Sequence, residues 1–143
     1  MSPLKTFKVF GERVDVLVDT VTSNGVSATV VQHVPPGGGP PPHSHKNEEE
    51  TFTVLDGDFE ILSEGKWNRL PTGEVAYSQR GSIHTFRNVG TTLGRVMVFI
   101  TPGGFEKYLE EISPLSLPAD LQQLLEISER YGISFPGLQP SNG

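Results

Sequence analysis

The chain has 143 residues, 35% of them hydrophobic and 20% charged, a composition that fits one globular domain and not a disordered segment. Its formal net charge of −6 works against phosphate backbones and anionic lipid, so nucleic acid and membrane partners are not expected. Cysteine is absent, which excludes disulfide frameworks and cysteine-based zinc ribbons and leaves histidine and carboxylate as the residues able to hold a metal.

The opening segment MSPLKTFKVFGERVDVL has no unbroken apolar core, and no later stretch approaches a membrane span, so the expected location is the cytoplasm. Strand character then recurs in short segments: Val14–Val18, Val26–Val34, Thr51–Leu55, Phe59–Leu62, Lys66–Leu70, Glu74–Tyr77, His84–Val89 and Arg95–Thr101. Turn signals such as Ser23-Asn24-Gly25, Asp56-Gly57, Glu64-Gly65 and Pro71-Thr72-Gly73 separate them. Many short strands at regular spacing predict an all-β antiparallel sandwich or barrel, with a barrel core over about 14–101 in a single domain of residues 1–143. After Pro102 the pattern changes. Phe105, Tyr108, Leu109 and Ile112 follow the helical i, i+3, i+4, i+7 spacing, and a second helix is predicted over Pro118–Tyr131 with Leu121, Leu124, Leu125 and Ser128 on one side. Gly132 sits where a left-handed C′ residue ends such a helix. This helical segment, about 105–132, is expected to cover an open end or side of the sheet.

The segment GGGPPPHSHKNEEETFTVLDG, residues 37–57, carries the chemistry. Three prolines deliver the chain extended, so His43 and His45, two apart, point to one face. On a helix they would diverge by about 200°. Glu50 lies an odd number of residues from His45, so a turn through Lys46-Asn47-Glu48 is required to bring its carboxylate to the same interior, with Phe52 and Val54 on its face. His84 follows the Gly81 turn and opens another strand, with Phe86 and Asn88 on its side. Glu48 and Glu49 read as a solvated turn, His33 as a structural strand histidine, Asn88 as a turn residue and Trp67 as an exposed-strand aromatic.

These intervals resemble a single-domain cupin. The family's first motif is a glycine, five residues, H-x-H, three or four residues, a glutamate, six residues and a glycine; Gly37, His43, His45, Glu50 and Gly57 satisfy it. The second motif is met by Gly73, Gly81, His84 and Asn88, with Gln79 in place of a proline, a departure that touches a turn and not a ligand. The resemblance implies a jelly-roll barrel with one or two C-terminal helices. It implies one divalent transition metal per chain on His43, His45, Glu50 and His84, and a homodimer, to which Phe7–Phe10 would contribute by adding to a neighbour's sheet edge.

Three imidazoles and one carboxylate suit iron, manganese, nickel, copper, cobalt or zinc and leave coordination positions open. A divalent ion with one carboxylate has a formal charge of about +1 (two minus one), which favours enolates, phenolates and other anionic oxygen donors. Phe52, Val54 and Phe86 share a face with the ligands and are the expected substrate contacts; few cations are placed to meet a phosphate, Arg95 being the one that could share a face with Met97. The tail segments TPGGFEKYLEE and RYGISFPG resemble small bacterial cupins described as quercetin-dioxygenase-like. That likeness implies a dioxygenase acting with dioxygen on an aromatic, phenolic or enolic substrate, with Glu50 as the base. A Lewis-acid isomerase, epimerase or lyase and a non-catalytic small-molecule-binding cupin are the alternatives.

Overall fold

The computed structural model describes residues 2–138. Its elements are β1 (Lys5–Val9), β2 (Glu12–Val18), β3 (Ala28–Val34), β4 (Ser44–His45), β5 (Glu49–Asp56), β6 (Phe59–Ser63), β7 (Lys66–Leu70), β8 (Val75–Ser78), β9 (His84–Asn88), β10 (Gly94–Thr101), helices α1 (Phe105–Ile112) and α2 (Leu121–Tyr131), and a short β11 (Ile133–Ser134). One sheet runs β1-β2-β3-β10-β5-β8 and a second runs β7-β6-β9, with β11 and β4 as a third small pair. The pairings are antiparallel throughout. Val14, Val30, Val98 and Ile100 of the larger sheet meet Phe59, Ile61 and Phe86 of the smaller in one buried cluster. This is the all-β antiparallel jelly-roll barrel with two C-terminal helices that the sequence predicts.

Packing decides which of the two alternating faces of β10 looks inward. Val96, Val98 and Ile100 are 1% exposed or less, whereas Phe99 is 44% exposed. Arg95 therefore lies outside, paired with Asp56 at 2.7 Å. Residues 5–9 pair with β2 of the same chain, and β1 is the terminal strand of the large sheet. The expected Val26–Val34 strand starts later, at Ala28, because Gly25 takes φ 84° in a turn that leaves Val26 exposed.

The helices fold back over the barrel. Phe105, Tyr108, Leu109 and Ile112 are buried as their spacing predicts. The second helix starts at Leu121 and not at Pro118, because the Asp120 carboxylate accepts the Ser116 N–H at 2.8 Å in a preceding turn. Its buried face is Leu124, Ile127 and Ser128, rotated away from Leu121 and Leu125. The Tyr108 hydroxyl donates to Ser128 Oγ at 2.7 Å, and Ser128 donates to the Leu124 carbonyl at 2.6 Å, which turns Ser128 into the contact between the helices. Gly132 ends α2 in the left-handed region at φ 74°, as expected, and the chain passes directly into β11. No described helix is long and apolar enough to cross a membrane.

Two motif glycines differ in what holds them. Gly57 has φ 103°, and a Cβ there would sit 2.9 Å from the Gly94 Cα and 3.0 Å from the Phe59 ring. Gly37 has φ 77° with open space around a Cβ. Gly37→Ala is expected to lose about 1 kcal/mol from backbone strain alone, and Gly57→Ala about 3 kcal/mol because a backbone clash is added. Chemical denaturation of the two variants checks the ranking, and equal losses would refute it.

Candidate metal centre

The loop after β3 is brought back against β9. The Gly39 backbone packs so closely on it that a Cβ would meet the Phe86 carbonyl oxygen at 2.0 Å. His43 and His84 then face each other in an antiparallel bridge, exchanging backbone hydrogen bonds of 3.1 and 2.9 Å. His45 follows two residues on, in β4, paired with Ile133 of β11. The chain turns at Lys46-Asn47 and enters β5, where Glu50 pairs with Ser78 of β8. One ligand atom from each of His43, His45, Glu50 and His84 falls within 4.8 Å of the others, and all four residues are buried.

The outer nitrogen of each imidazole is already committed. His43 Nδ1 donates to the Pro41 carbonyl at 2.8 Å, and His84 Nδ1 donates to the Ser82 carbonyl at 3.1 Å with Ser78 Oγ at 2.8 Å. His45 Nδ1 lies 3.3 Å from Glu48 Oε2. Carbonyl and carboxylate oxygens only accept, so the protons sit on Nδ1 and each Nε2 turns a lone pair inward. His84 Nε2 is 2.7 Å from Glu50 Oε2, and His45 Nε2 is 3.1 Å from Glu50 Oε1. These are hydrogen-bond distances, yet His45 Nε2, His84 Nε2 and Glu50 Oε2 are buried without a hydrogen-bond partner, since lone pair faces lone pair. A cation between them resolves the conflict, so the residues fit a divalent first-row ion.

The electrostatics agree. Burial, reinforced by the neighbouring imidazoles, pushes His43 down to about 3 and keeps it neutral. Burial raises the Glu50 carboxyl, but His45, His84 and His43 outweigh it and hold the group at about 2, so the carboxylate is ionised. Burial also opposes charge on His45, but there Glu50 and Glu48 win and its pKa rises above 6.5. In the metal-free protein His45 is thus the ligand that carries the competing proton.

Glu48 corrects the sequence reading. It is 7% exposed and its carboxylate supports a ligand, while Glu49 accepts from the Tyr77 hydroxyl at 3.0 Å. A carboxylate three residues after a metal-binding histidine was the available signal, because such histidines commonly give their second nitrogen to an oxygen acceptor. His33 faces outward and pairs with Asp15 at 2.8 Å, as a structural residue. Asn88 holds a turn through the Val34 and Thr92 carbonyls and the Gly90 N–H. Trp67 is 37% exposed, with the Arg87 guanidinium 3.8 Å above its ring.

The ligand cluster opens on a cavity of about 40 Å³, measured as the space open to the centre of a water molecule. Phe52 and Phe86 line it, together with Val98, Phe105, Tyr108 and Phe135. Val54 does not line it: one step further along the Phe52 face of β5, it is fully buried in the valine core. Sequence parity finds the face but not the depth. The helical tail also reaches the centre, with the Phe105 ring 4.6 Å from His45 and the Phe135 ring 5.7 Å from His43.

Glu48→Ala is expected to weaken metal affinity about 10–100-fold with all four ligands intact, whereas Glu49→Ala leaves it unchanged. Chelator competition measures both, and equal affinities would remove Glu48 from the centre. Because a raised His45 pKa means that the proton competes to higher pH, metal affinity should climb by about tenfold per pH unit below that pKa and level off above it. Metal titrations between pH 5 and about 9 test the sign, and a flat profile contradicts it.

Comparison with known proteins gives the same family. Residues 30–100 match the model of the cupin domain. The chain is 30% identical over 59 residues, 41% of its length, to an oxalate-binding protein of Thermotoga maritima, and the match spans 49% of that protein. Other curated relatives, from Aquifex aeolicus and Myxococcus xanthus, are matched over 38% and 27% of their lengths, so the chain spans less than half of each relative. Among solved structures, an uncharacterized protein with a double-stranded β-helix domain from Klebsiella pneumoniae is 26% identical with a TM-score of 0.58, over 65% of this chain and 78% of that one. KdgF from Halomonas sp. superposes with a TM-score of 0.64 at 19% identity, over 72% of this chain and 90% of the other, a likeness of fold. With a histidine–glutamate cluster in a jelly-roll barrel, residues 30–100 of this chain are similar to a cupin domain.

Proposed function

We propose that the chain is a metal-dependent enzyme that oxidises a compact enolic or phenolic substrate with dioxygen. The observation that carries this reading is the pairing of a three-histidine, one-glutamate cluster with an apolar cavity that no lysine or arginine lines among the described residues. A substrate anionic through a single oxygen places its charge at the cluster and its carbon skeleton against Phe52, Phe86 and Val98. A phosphorylated sugar would bring its charge to a wall with no cation. The cavity is small, about 40 Å³, which favours a small enol over a polycyclic phenol.

A divalent transition ion bound by His43, His45, Glu50 and His84 would polarise a coordinated oxygen donor and, where redox-active, supply electrons toward dioxygen. Glu50 stays ionised at neutral pH and is the acceptor nearest to a hydroxyl entering the cluster, taking its proton as that hydroxyl ionises. Glu48, Ser78 and the Pro41 and Ser82 carbonyls hold the imidazoles in one tautomer. Phe105 and Phe135 place aromatic surface against two of the imidazoles at the cavity.

The likeness to an oxalate-binding protein supports a small oxygen-chelating ligand and favours a second reading, a lyase or isomerase that uses the ion as a Lewis acid without oxygen chemistry. Metal analysis of protein purified without added metal, with oxygen uptake on small enols under air, tests the two against each other. We expect about one redox-active ion per chain, oxygen-dependent turnover, and loss of both in His84→Ala. Stoichiometric zinc with air-independent turnover replaces the dioxygenase reading by the Lewis-acid one. No metal after reloading overturns both.

A further inference from the structure

Two polar side chains line the metal cavity without serving the ligand set: Glu12 at the start of β2 and Gln32 in β3. Their strands stand apart from the ligands, since β10 separates β3 from β5 in the sheet. Gln32 pairs with Val14 on one side and Val96 on the other, residues 2% and 1% exposed, so its side chain belongs to the inward row of the barrel. Its amide makes no side-chain hydrogen bond with any described residue. Glu12 is anchored through one oxygen, Oε2, which accepts the Gly39 N–H at 3.1 Å and leaves Oε1 unengaged. Burial raises its carboxyl above the usual range, partly offset by that hydrogen bond. No cation compensates it inside, because Arg13, the next residue, turns to the opposite face and bonds Asp15 at 2.9 Å.

Both side chains are only part-buried, yet they stand in an otherwise largely apolar wall, which valine or leucine at both positions would simply extend. In small-molecule cavities such isolated polar groups fix ligand orientation. We infer that Glu12 and Gln32 form a second recognition pole, which receives an uncharged hydroxyl at the end of the substrate remote from the metal ligands. The hydroxyl donates to Glu12 Oε1 and accepts from the Gln32 amide N–H. The substrate class is then a compact bifunctional oxygen ligand, such as a hydroxylated enol or hydroxy acid, with a chelating head and a neutral hydroxyl tail. A carboxylate tail is rejected, because it meets Glu12 with no cation between them.

This inference rests on the metal-centre reading, and the test separates the two. Lactate, glycerate and tartronate share one α-hydroxycarboxylate head and differ only in a methyl, a hydroxymethyl or a second carboxylate. Their binding to nickel-loaded protein is measured by calorimetry, with metal content determined on every sample. Wild type should bind glycerate about tenfold tighter than lactate, the value of one well-made hydrogen bond, and tartronate more weakly than either. Gln32→Leu should bring glycerate and lactate to within about twofold of each other while lactate affinity is unchanged. Glu12→Gln keeps an acceptor for Gly39 and should admit tartronate. Full metal with no glycerate preference in wild type, with no binding of any of the three, or with unchanged ratios in both variants, overturns the second pole alone. Absence of metal from reloaded wild type overturns the pole together with the centre. If Gln32→Leu does not fold, the wild-type ratio and Glu12→Gln decide.

Discussion

Four electron-rich groups meet at one point in the interior of this barrel, and much of the surrounding structure serves to keep them there. An imidazole lone pair 2.7 Å from a carboxylate oxygen, with neither exposed to water, is repulsive unless positive charge lies between them. The fold could avoid that repulsion by protonating Nε2. For His43 and His84 the proton of the neutral ring cannot move there, because Nδ1 is held by a carbonyl oxygen, while His45 is the ligand that takes up a proton. The cluster could therefore hold a cation, and the imidazoles would favour soft or borderline metals there.

Rigid geometry behind those ligands comes from three separate devices. Backbone pairing between His43 and His84 locks two ligands to each other, and the Glu50–Ser78 pairing ties the carboxylate to the residue whose hydroxyl meets His84. The third device is remote in sequence. The cap of α2 at Gly132 feeds β11, which pairs with His45, so the helical tail is built into the site and is more than a cover for the barrel end. Phe105 and Phe135 add aromatic surface directly against two ligands.

Charge is distributed with the same economy. The arginines of the strands are outside, in pairs such as Arg95 with Asp56 and Arg87 with Glu60, and none lines the cavity among the described residues. Among the described residues, the cavity beside the cluster has a largely aliphatic and aromatic wall that also includes Glu12, Gln32 and Tyr108, whose hydroxyl is given to Ser128. Such a cavity discriminates by where a molecule carries its charge more than by how much carbon it contains.

Three candidate ligands were legible in the sequence because their spacing is a local property: H-x-H on an extended chain, a turn, and a carboxylate at a strand start; His84, on a distant strand, joined them only through the second motif of the family resemblance. The strand and helix pattern was legible for the same reason, through periodicity and Gly–Pro punctuation. What depended on the barrel was everything that requires two distant segments. Alternation shows that β10 has two faces but not that Val96 looks inward, since either face is apolar enough; only packing against the second sheet chooses. Glu48 reads, with Glu49, as part of a solvated turn until the turn buries it beside His45. Val54 shares a face with Phe52, yet cavity depth is set by rings from other strands. Glu12 and Gln32 carry no local signature, because a polar residue in a strand is unremarked until the chain closes around it.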